Sequence, residues 1–361
     1  MSHLSTIVLL FLLTALLYCT NAEPLRGRIS VEPYSVTFLP EIPAPRQEHA
    51  ITLLQDRILL VGGLSSNYSY TPDTITAPSA PVTVDTVQSY NIKTRSWTDH
   101  KPAPYPVNHG NIAAVKGRIY LLGGLMGGNF SRWGAVTNSY VYDIKKDTWK
   151  TIAPMPGGTE RGASAMGVSG SKIYLAGGMR FLDMGGETSA QASVALVSSY
   201  DTETNTWNTD LPSLPESRDH VGGAVIGNTF YVAGGRDRGQ HNVRGDTWAL
   251  DLKNTTSGWR ELASMPTARG GLSATAVGHC LYTFGGEGNA EGVGGVFANV
   301  EVYDTKQNTW EALPALWAGI HGTNAVTGGD GKIYIAGGGY RLGAGPSNFT
   351  VAYQPHPKCF A

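Results

Sequence analysis

Charged residues are scarce in this sequence, and no run of Lys and Arg occurs anywhere in it. Only 15% of the 361 residues are Asp, Glu, Lys or Arg, and the formal net charge is −1. Nucleic-acid binding requires a concentrated basic surface, so the composition argues against a nucleic acid as partner. Long helical patterns are also missing, whereas 46 glycines are present, which is typical of many short strands joined by tight turns.

The common short catalytic motifs are absent too. The sequence has no His-Glu-x-x-His, no Gly-x-Ser-x-Gly and no phosphate-binding P-loop, which are the local signatures of zinc proteases, serine hydrolases and nucleotide-binding enzymes. The motifs alone therefore do not make the chain an enzyme, and no cofactor is predicted from them.

Cysteine is rare, with three residues in the chain. Cys19 lies within residues 1–22, which have the apolar run and the small residues up to Ala22 that are typical of a secretory signal peptide. We therefore predict that residues 1–22 are removed and that the mature protein is secreted and has no membrane attachment. Cys280 and Cys359 then remain. They form either one disulfide, which an oxidising compartment favours, or two free thiols.

Four N-glycosylation acceptor sequences agree with secretion, because such acceptors are used in surface loops of secreted proteins. They begin at Asn67, Asn129, Asn254 and Asn348. We predict all four as glycosylation sites.

The main positive signal is a repeat. Six hydrophobic runs end in a glycine pair, and successive pairs are 51 to 61 residues apart. The pairs are Gly62-Gly63, Gly123-Gly124, Gly177-Gly178, Gly234-Gly235, Gly285-Gly286 and Gly337-Gly338. Five of them are followed by a Tyr or Leu and then a Trp, namely Tyr90–Trp97, Tyr142–Trp149, Tyr200–Trp207, Leu250–Trp259 and Tyr303–Trp310. A period near 50 with this punctuation is typical of propeller blades.

Each repeat predicts four antiparallel strands, with turn signals such as Gly227-Asn228 between them. With these glycine pairs and Trp positions, the chain resembles the kelch-repeat β-propellers over essentially all of its mature length. The resemblance implies an all-β, six-bladed kelch-type propeller that forms a single domain over residues 23–361.

The two ends of the chain are expected to meet in the last blade. The last repeat has strand candidates at 325–327, 332–336 and 349–354 and then lacks a fourth, whereas residues 39–46 match residues 211–218, which follow a fourth strand. We therefore predict that residues 33–39 supply the missing outer strand and close the ring, with Tyr34 or Val36 in place of the absent Trp. Residues 23–32 are predicted to be a flexible lead-in.

One face of the propeller is expected to carry the function. The loops that follow the glycine pairs emerge there and run from 14 to 26 residues up to the Tyr or Leu marker, and long unequal loops on a regular scaffold usually carry specificity. The predicted ligand-binding residues enter the innermost strands or lie in loops on this face. They are Arg46, His49, His109, Arg161, Arg218, His220, Arg269, His321, Trp133 and Trp317.

The arginines have two interpretations. A guanidinium suits a carboxylate or phosphate, and a nearby Trp can stack on a ring, so the pocket would take a small anionic or polyhydroxylated ligand. Alternatively, the arginines hold loop carbonyls or neighbouring acids within the fold. Kelch adaptors use this arginine position and face for acidic ligands, so the resemblance adds weight to a ligand or a protein partner.

A metal site is the further interpretation of the histidines. His is a common ligand of zinc, copper and iron, and four histidines enter separate blades. We take these histidines to lie at positions that do not match between the repeats, so no metal is predicted.

Three functions remain open. The chain is most similar to the short secreted kelch proteins of filamentous fungi, which implies a ligand- or partner-binding accessory protein, with an extension to secondary metabolism. The more distant resemblance to six-bladed N-acetylneuraminate epimerases implies an isomerase or mutarotase, with Glu287 or His220 moving a proton and Arg218 and Arg269 holding a carboxylate. The third hypothesis is a cell-wall lectin that stacks sugars on Trp133 and Trp317.

Overall fold

The computed structural model of the chain describes residues 29–31, 34–74, 80–129, 132–183 and 190–360. The regular structure of these residues is almost entirely β-strand, with short 3-10 helices at Thr255–Ser257, Val293–Gly295 and Pro357–Phe360. None of the helices in this part of the chain has the length and apolar character that a membrane span requires. The predicted signal peptide at residues 1–22 lies outside the described residues.

Six antiparallel sheets form the blades, as predicted. Blade 1 consists of Ala50–Leu54, Arg57–Val61, Val87–Asn91 and Ser96–His100. Blade 2 consists of Asn111–Val115, Arg118–Leu122, Ser139–Asp143 and Thr148–Thr151. Blade 3 consists of Ala165–Ser169, Lys172–Ala176, Val197–Asp201 and Thr206–Asn208. Blade 4 consists of Gly222–Ile226, Thr229–Ala233, Thr247–Asp251 and Trp259–Leu262. Blade 5 consists of Ser273–Val277, Cys280–Phe284, Val300–Asp304 and Thr309–Leu313. Blade 6 contains Ala325–Thr327, Ile333–Ala336 and Thr350–Tyr353.

The N-terminal segment completes blade 6. Tyr34–Phe38 pairs with Thr350–Tyr353 in antiparallel register, with Val36 opposite Tyr353 and Phe38 opposite Val351. The predicted closure of the ring is therefore confirmed, and Val36 is buried at the place of the missing Trp. The lead-in prediction is wrong in part, because Ile29–Val31 adds a fifth strand beside Tyr34–Phe38.

The glycine pairs join neighbouring blades. Gly62 has φ +65°, and a Cβ built there would lie 2.1 Å from the backbone oxygen of Val107, at the entry to blade 2. A side chain is excluded by both the conformation and the space. The next residue, Gly63, donates its N–H to that same oxygen at 2.7 Å, and Gly178 does the same to Arg218 at 2.7 Å. The glycine pairs of the sequence repeat are therefore the points where neighbouring blades contact each other.

The Trp residues make a second repeated contact. Each indole packs on an aromatic ring of the same blade, as Trp149 does on Tyr142 with ring centroids 4.6 Å apart. Trp259, which lies opposite Leu250, packs on Phe230. Each indole N–H also donates to a carbonyl of the segment that leads into its blade, for example Trp259 to Pro212 at 2.8 Å and Trp310 to Ala263 at 2.8 Å. The second strands, such as Arg57–Val61, are buried along Ile58 to Val61, because both of their faces are covered by neighbouring blades.

Two additional sheets lie on the face with the long loops, where only loops were predicted. One contains Arg46–Gln47, Leu64–Ser65 and Val82–Thr83. The other, which we name the loop sheet, joins the long loops of blades 2 and 3. It consists of Leu125–Asn129, Arg132–Ala135, Met179–Asp183 and Ala190–Ser193.

A disulfide fixes the C-terminal end. Cys280, in blade 5, is bonded to Cys359, with the Cα atoms 5.5 Å apart. The backbone oxygen of Cys359 also accepts a hydrogen bond from His279 at 3.2 Å. Of the two states left open by the sequence, the structure therefore has the disulfide, which attaches the tail after blade 6 to blade 5.

Candidate functional site

A closed ring of six backbone hydrogen bonds surrounds the propeller axis. In it, each residue that lies shortly before an innermost strand donates its N–H to the carbonyl of the equivalent residue in a neighbouring blade. The donor–acceptor distances are 2.5 to 3.1 Å. We name these residues the axial ring: Glu48, His109, Ala163, His220, Gly271 and Gly322.

All six ring residues have left-handed backbone conformations, with φ between 50° and 62°. Such a conformation costs a non-glycine residue about 1–2 kcal/mol, and residues held in it often cluster at functional sites. Glycine occupies two of the six positions. Glu48, His109 and His220 therefore hold polar side chains at positions where the backbone favours glycine.

The side chains of these three residues meet at the axis. The Nε2 atoms of His109 and His220 lie 2.9 Å apart. The Glu48 Oε2 atom lies 3.1 Å from Nε2 of His109 and 4.0 Å from Nε2 of His220. All three residues are buried.

The residue before each histidine orients its ring. Nδ1 of His109 lies 2.6 Å from Oδ1 of Asn108, whose amide nitrogen donates to Thr83 at 2.8 Å. Nδ1 of His220 lies 2.6 Å from Oδ1 of Asp219. Because an ionised carboxylate and an amide oxygen only accept hydrogen bonds, the Nδ1 atom is the donor in both histidines. A neutral histidine in this tautomer has a lone pair on Nε2.

A buried ion-pair network lies beside the ring. Arg236 contacts the carboxylates of Asp219, at 3.2 Å, and Glu287, and its Nη2 lies 3.1 Å from Nε2 of His220. Nδ1 of His321 lies 3.4 Å from Glu287 and 3.6 Å from Glu48. All of these side chains are at most 9% exposed.

The network shifts the pKa values of its members. Burial alone would raise the pKa of the Glu48 carboxyl, but the histidines around it, His109 first, lower it overall. Glu287 shows the same pattern: burial raises its pKa, and Arg236 then brings it below the ordinary value. The pKa of Asp219 falls to about 2, because its bond to His220 and the charge of Arg236 outweigh burial. Burial, together with Arg236, lowers the pKa of His220.

Two openings adjoin the ring on opposite sides. One is a cavity of about 90 Å³ along the axis, lined among others by Glu48, His49, His109 and His220. The other, which we name the axial cavity, is only about 20 Å³ and lies on the side of the loop sheet. Its lining includes the three polar ring residues together with Trp133, Leu182, Arg236 and Glu287.

A larger groove of about 580 Å³ lies on the loop sheet itself. We name it the loop-sheet groove. It is lined by Met126, Gly127, Arg132, Trp133, Gly134, Phe181, Leu182 and Asp183. Trp133 and Leu182 line both this groove and the axial cavity, so they form the wall between the surface and the ring.

The four predicted ligand arginines are used within the fold. Their side chains are completely buried: Arg46, Arg161, Arg218 and Arg269. Arg161 donates to the carbonyls of Gly177 at 2.7 Å and Thr159 at 2.7 Å. Arg269 donates to Gly285 at 2.6 Å and pairs with the buried Glu301. These contacts are those of the second interpretation, in which the arginines hold carbonyls and acids of the propeller.

The other predicted residues are divided between the site and the core. His109, His220 and Glu287 lie at the ring, and Trp133 lies in the wall above it. His49 lines the cavity on the other side, where burial lowers its pKa to about 3. His321 donates from Nε2 to the carbonyl of Arg341 at 2.6 Å. Trp317 packs edge-on against Phe38 and Phe349, so it is part of the core of blade 6.

The premise for rejecting a metal is wrong in part, because two of the four histidines, His109 and His220, do occupy the same repeat position. Counting back from the first glycine of a pair finds it: Glu48, His109, Ala163, His220 and Gly271 each lie 14 residues before that glycine. This spacing was available in the sequence. Glu48 was missed, as were Asn108 and Asp219, which precede the histidines.

The predicted glycosylation sites differ in accessibility. Asn67 and Asn254 are exposed. Asn348 is partly buried, and its amide donates to Glu41 at 3.0 Å and accepts from Ser69 at 2.8 Å. The side chain of Asn129 lies outside the described residues.

Comparisons with known proteins agree with this architecture. The model of the KLHDC2/KLHL20/DRC7 Kelch-repeats domain matches residues 179–352, and that of the Kelch motif matches residues 108–156. The chain is 36% identical over 341 residues to Kelch-like protein terF of Aspergillus terreus, an alignment that covers 93% of this chain and 70% of that protein. It is 26% identical to Kelch domain-containing protein 3 of Bos taurus, over 67% of this chain and 66% of that protein. Kelch-like protein 36 of Mus musculus is 27% identical over 68% of this chain, which spans only 38% of that relative.

Proposed function

Because this chain belongs to the kelch-repeat family, we propose that it is a secreted propeller that binds a small ligand in the loop-sheet groove. Kelch propellers have many unrelated functions, so the proposal is based on the site and not on the fold. The observation that carries it is the groove itself, which is specific to the two long loops of blades 2 and 3.

The size and the lining of the groove suit a small organic molecule. Its volume of about 580 Å³ lies within the range of about 300–1,000 Å³ that is common for ligand pockets. Phe181 is 46% exposed at its surface. An exposed aromatic ring at the edge of a groove offers an apolar face on which a flat ligand can stack.

The polar end of the groove sets the ligand class. Arg132 and Asp183 face each other across neighbouring strands, with Nη2 of Arg132 2.6 Å from Oδ2 of Asp183. A guanidinium has five N–H donors, so Arg132 keeps donors for a carboxylate, and Asp183 can accept from a hydroxyl group. The groove therefore fits a hydroxylated aromatic or similarly flat acid.

Secretion is supported by the signal-like residues 1–22, by the exposed acceptors Asn67 and Asn254, and by the buried disulfide. An accessory role in secondary metabolism is the natural extension, since the chain resembles short secreted kelch proteins of filamentous fungi.

The other two hypotheses have less support. The isomerase hypothesis used Arg218 and Arg269 to hold a carboxylate, and both are buried within their blades. It also used Glu287 as a base, whereas the ion pair with Arg236 keeps the pKa of Glu287 low and makes it a weak base. The lectin hypothesis needs exposed Trp faces, but Trp133 is 5% exposed.

Binding of hydroxybenzoates, measured by calorimetry, tests the proposal. We expect Phe181→Ala to weaken binding at least tenfold, because the exposed ring forms the apolar side of the groove. Tyr68→Ala is the matched control, since Tyr68 is 45% exposed and lies outside the groove. No binding by the wild-type protein, or equal losses in the two variants, would refute the proposal.

A further inference from the structure

We propose that Glu48, His109 and His220 of the axial ring bind a divalent transition-metal ion. The ligand set would be two imidazole nitrogens and one carboxylate oxygen. This set is typical of catalytic zinc sites and of non-haem iron sites. The proposal is independent of the loop-sheet groove and of the ligand proposed for it.

The positions of the three ligand atoms are the first argument. Their separations of 2.9, 3.1 and 4.0 Å are those expected for atoms bonded to a single ion at about 2.0–2.2 Å. Among the His, Cys, Asp and Glu side chains of the described residues, these three form a group whose ligand atoms all lie within 4.8 Å of one another.

The tautomers of the histidines are the second argument. Asn108 and Asp219 fix the Nδ1 atoms of His109 and His220 as donors, so in the neutral rings two Nε2 lone pairs face each other at 2.9 Å. Two lone pairs at this distance repel unless a proton or a metal ion lies between them, and a metal ion would engage both at once. Around a metal site, each histidine ligand usually donates a hydrogen bond from its other ring N–H to a carboxylate or a carbonyl-type oxygen.

The local charge is the third argument. Three buried carboxylates lie at the ring, those of Glu48, Asp219 and Glu287, while Arg236 is the one guanidinium that contacts them among the described residues. Buried charges are normally balanced by partners. Even with His321, whose Nδ1 lies 3.4 Å from Glu287, the carboxylates outnumber these cationic partners, and a divalent cation would offset the excess negative charge.

The surroundings leave one coordination position available. The axial cavity of about 20 Å³ borders all three ligands, and a cavity of that size holds about one water molecule. Catalytic metal sites keep such a position for water or substrate. Metal binding would require His220 to give up its contact with Nη2 of Arg236, while Arg236 keeps both of its carboxylate partners.

The position of the ligands in the fold explains why a metal would be useful. The three residues come from blades 1, 2 and 4, so a bound ion would crosslink three separate blades at the axis. Their left-handed backbone conformations are then strained positions that serve to direct ligands inward.

The test is zinc binding by purified protein that has no polyhistidine tag and has been freed of metal with a chelator. We expect one equivalent of Zn²⁺ to bind in calorimetry and to raise the melting temperature. His109→Ala and His220→Ala should each weaken binding at least tenfold. Both variants keep a Cβ, as Ala163 does at the same ring position, so their backbones should fold normally, which circular dichroism checks.

His241→Ala is the matched control, because His241 is exposed and lies outside the ring. It should bind zinc as the wild-type protein does. A second readout is the visible absorption of bound Co²⁺, which reports direct coordination by the histidines and should disappear in the two ring variants. Absence of zinc binding in the wild-type protein, or unchanged binding in either folded ring variant, would overturn the proposal. Neither result would affect hydroxybenzoate binding, which depends on Phe181.

Discussion

His109 and His220 are 111 residues apart in the sequence, and yet their Nε2 atoms lie 2.9 Å apart at the centre of the propeller. His109 precedes the innermost strand of blade 2, and His220 precedes the innermost strand of blade 4. The two meet because each is a member of the axial ring, in which six equivalent backbone positions are hydrogen-bonded around the axis. A side chain at any ring position is directed toward a small common space, so the identity of six residues determines what that space can bind.

Substituting a ring glycine should disturb Glu48. A Cβ built on Gly322 would lie 2.4 Å from Oε1 of Glu48, so Gly322→Ala would push the carboxylate away from His109. Alanine in this left-handed conformation also costs about 1–2 kcal/mol. We expect a loss of stability above that value in urea unfolding, together with loss of zinc binding.

Gly271→Ala separates the cost of the left-handed backbone from the displacement of Glu48. Gly271 has the same φ of 62°, but the atoms nearest to its added Cβ would be those of Glu287, at 3.3 Å, and not those of Glu48. This variant should lose about 1–2 kcal/mol and keep zinc binding. Equal behaviour of the two variants would show that the position of Glu48 does not depend on Gly322.

Removing a buried arginine should destabilise the propeller. Arg269 pairs with Glu301, and both side chains are at most 1% exposed. Arg269→Met would leave Glu301 as an unpaired buried charge, which typically costs about 3–5 kcal/mol. Urea unfolding measures this loss, and the double variant with Glu301→Leu should recover part of it, because no unpaired charge remains.

Arg132→Met is the surface counterpart. In the pair of Arg132 with Asp183 the Arg132 side chain is 76% exposed, and surface pairs contribute at most about 1 kcal/mol. Wild-type stability of Arg269→Met would contradict the structural role of this arginine and restore its interpretation as a ligand contact.

The architecture was predictable because its signals are local and repeated. The pairs from Gly62-Gly63 onward have a positive φ and a close backbone contact in every blade. Because each blade has the same physical requirement, the glycine pair recurs six times in the sequence. The closing strand was predictable for a similar reason, since residues 39–46 repeat the residues that follow a fourth strand in another blade.

The site was less predictable, because it depends on differences between the repeats. The sequence spacing places His109 and His220 at the same repeat position, but it does not show that this position faces the axis. The loop sheet pairs Arg132–Ala135 with Met179–Asp183 across two blades, and nothing in either loop alone indicates that partner. The roles of Arg161 and Arg269 depended on burial, which the sequence motif does not specify.

The predicted glycosylation sites should differ in occupancy. In protein secreted from a fungal host, we expect glycans at the exposed Asn67 and Asn254, because an enzyme can reach both amides. Asn348 should be occupied poorly, since its amide is engaged by Glu41 and Ser69. Mass spectrometry of deglycosylated peptides measures each site, and full occupancy at Asn348 alone would contradict this order.

The strand at Tyr34–Phe38 should be required for a closed ring. A variant that begins at Pro40 would lose the outer strand of blade 6 and expose the edge at Val351 to Tyr353. It would also lose the burial of Val36, worth about 1.5–3 kcal/mol. We expect a lower melting temperature and self-association in size-exclusion chromatography, because an unpaired edge strand is a template for other chains.

A synthetic peptide of residues 29–39 provides the decisive comparison. Added in excess to the shortened chain, it should pair with the free edge, as strand addition does in other proteins, and restore both the melting temperature and the monomer. A peptide with Val36→Asp should not, because it places a charge in the core of blade 6. If the shortened chain is as stable and monomeric as a variant that begins at Ile29, the ring does not depend on this strand, and the geometry of the axial ring must be maintained by blades 1 to 6 alone.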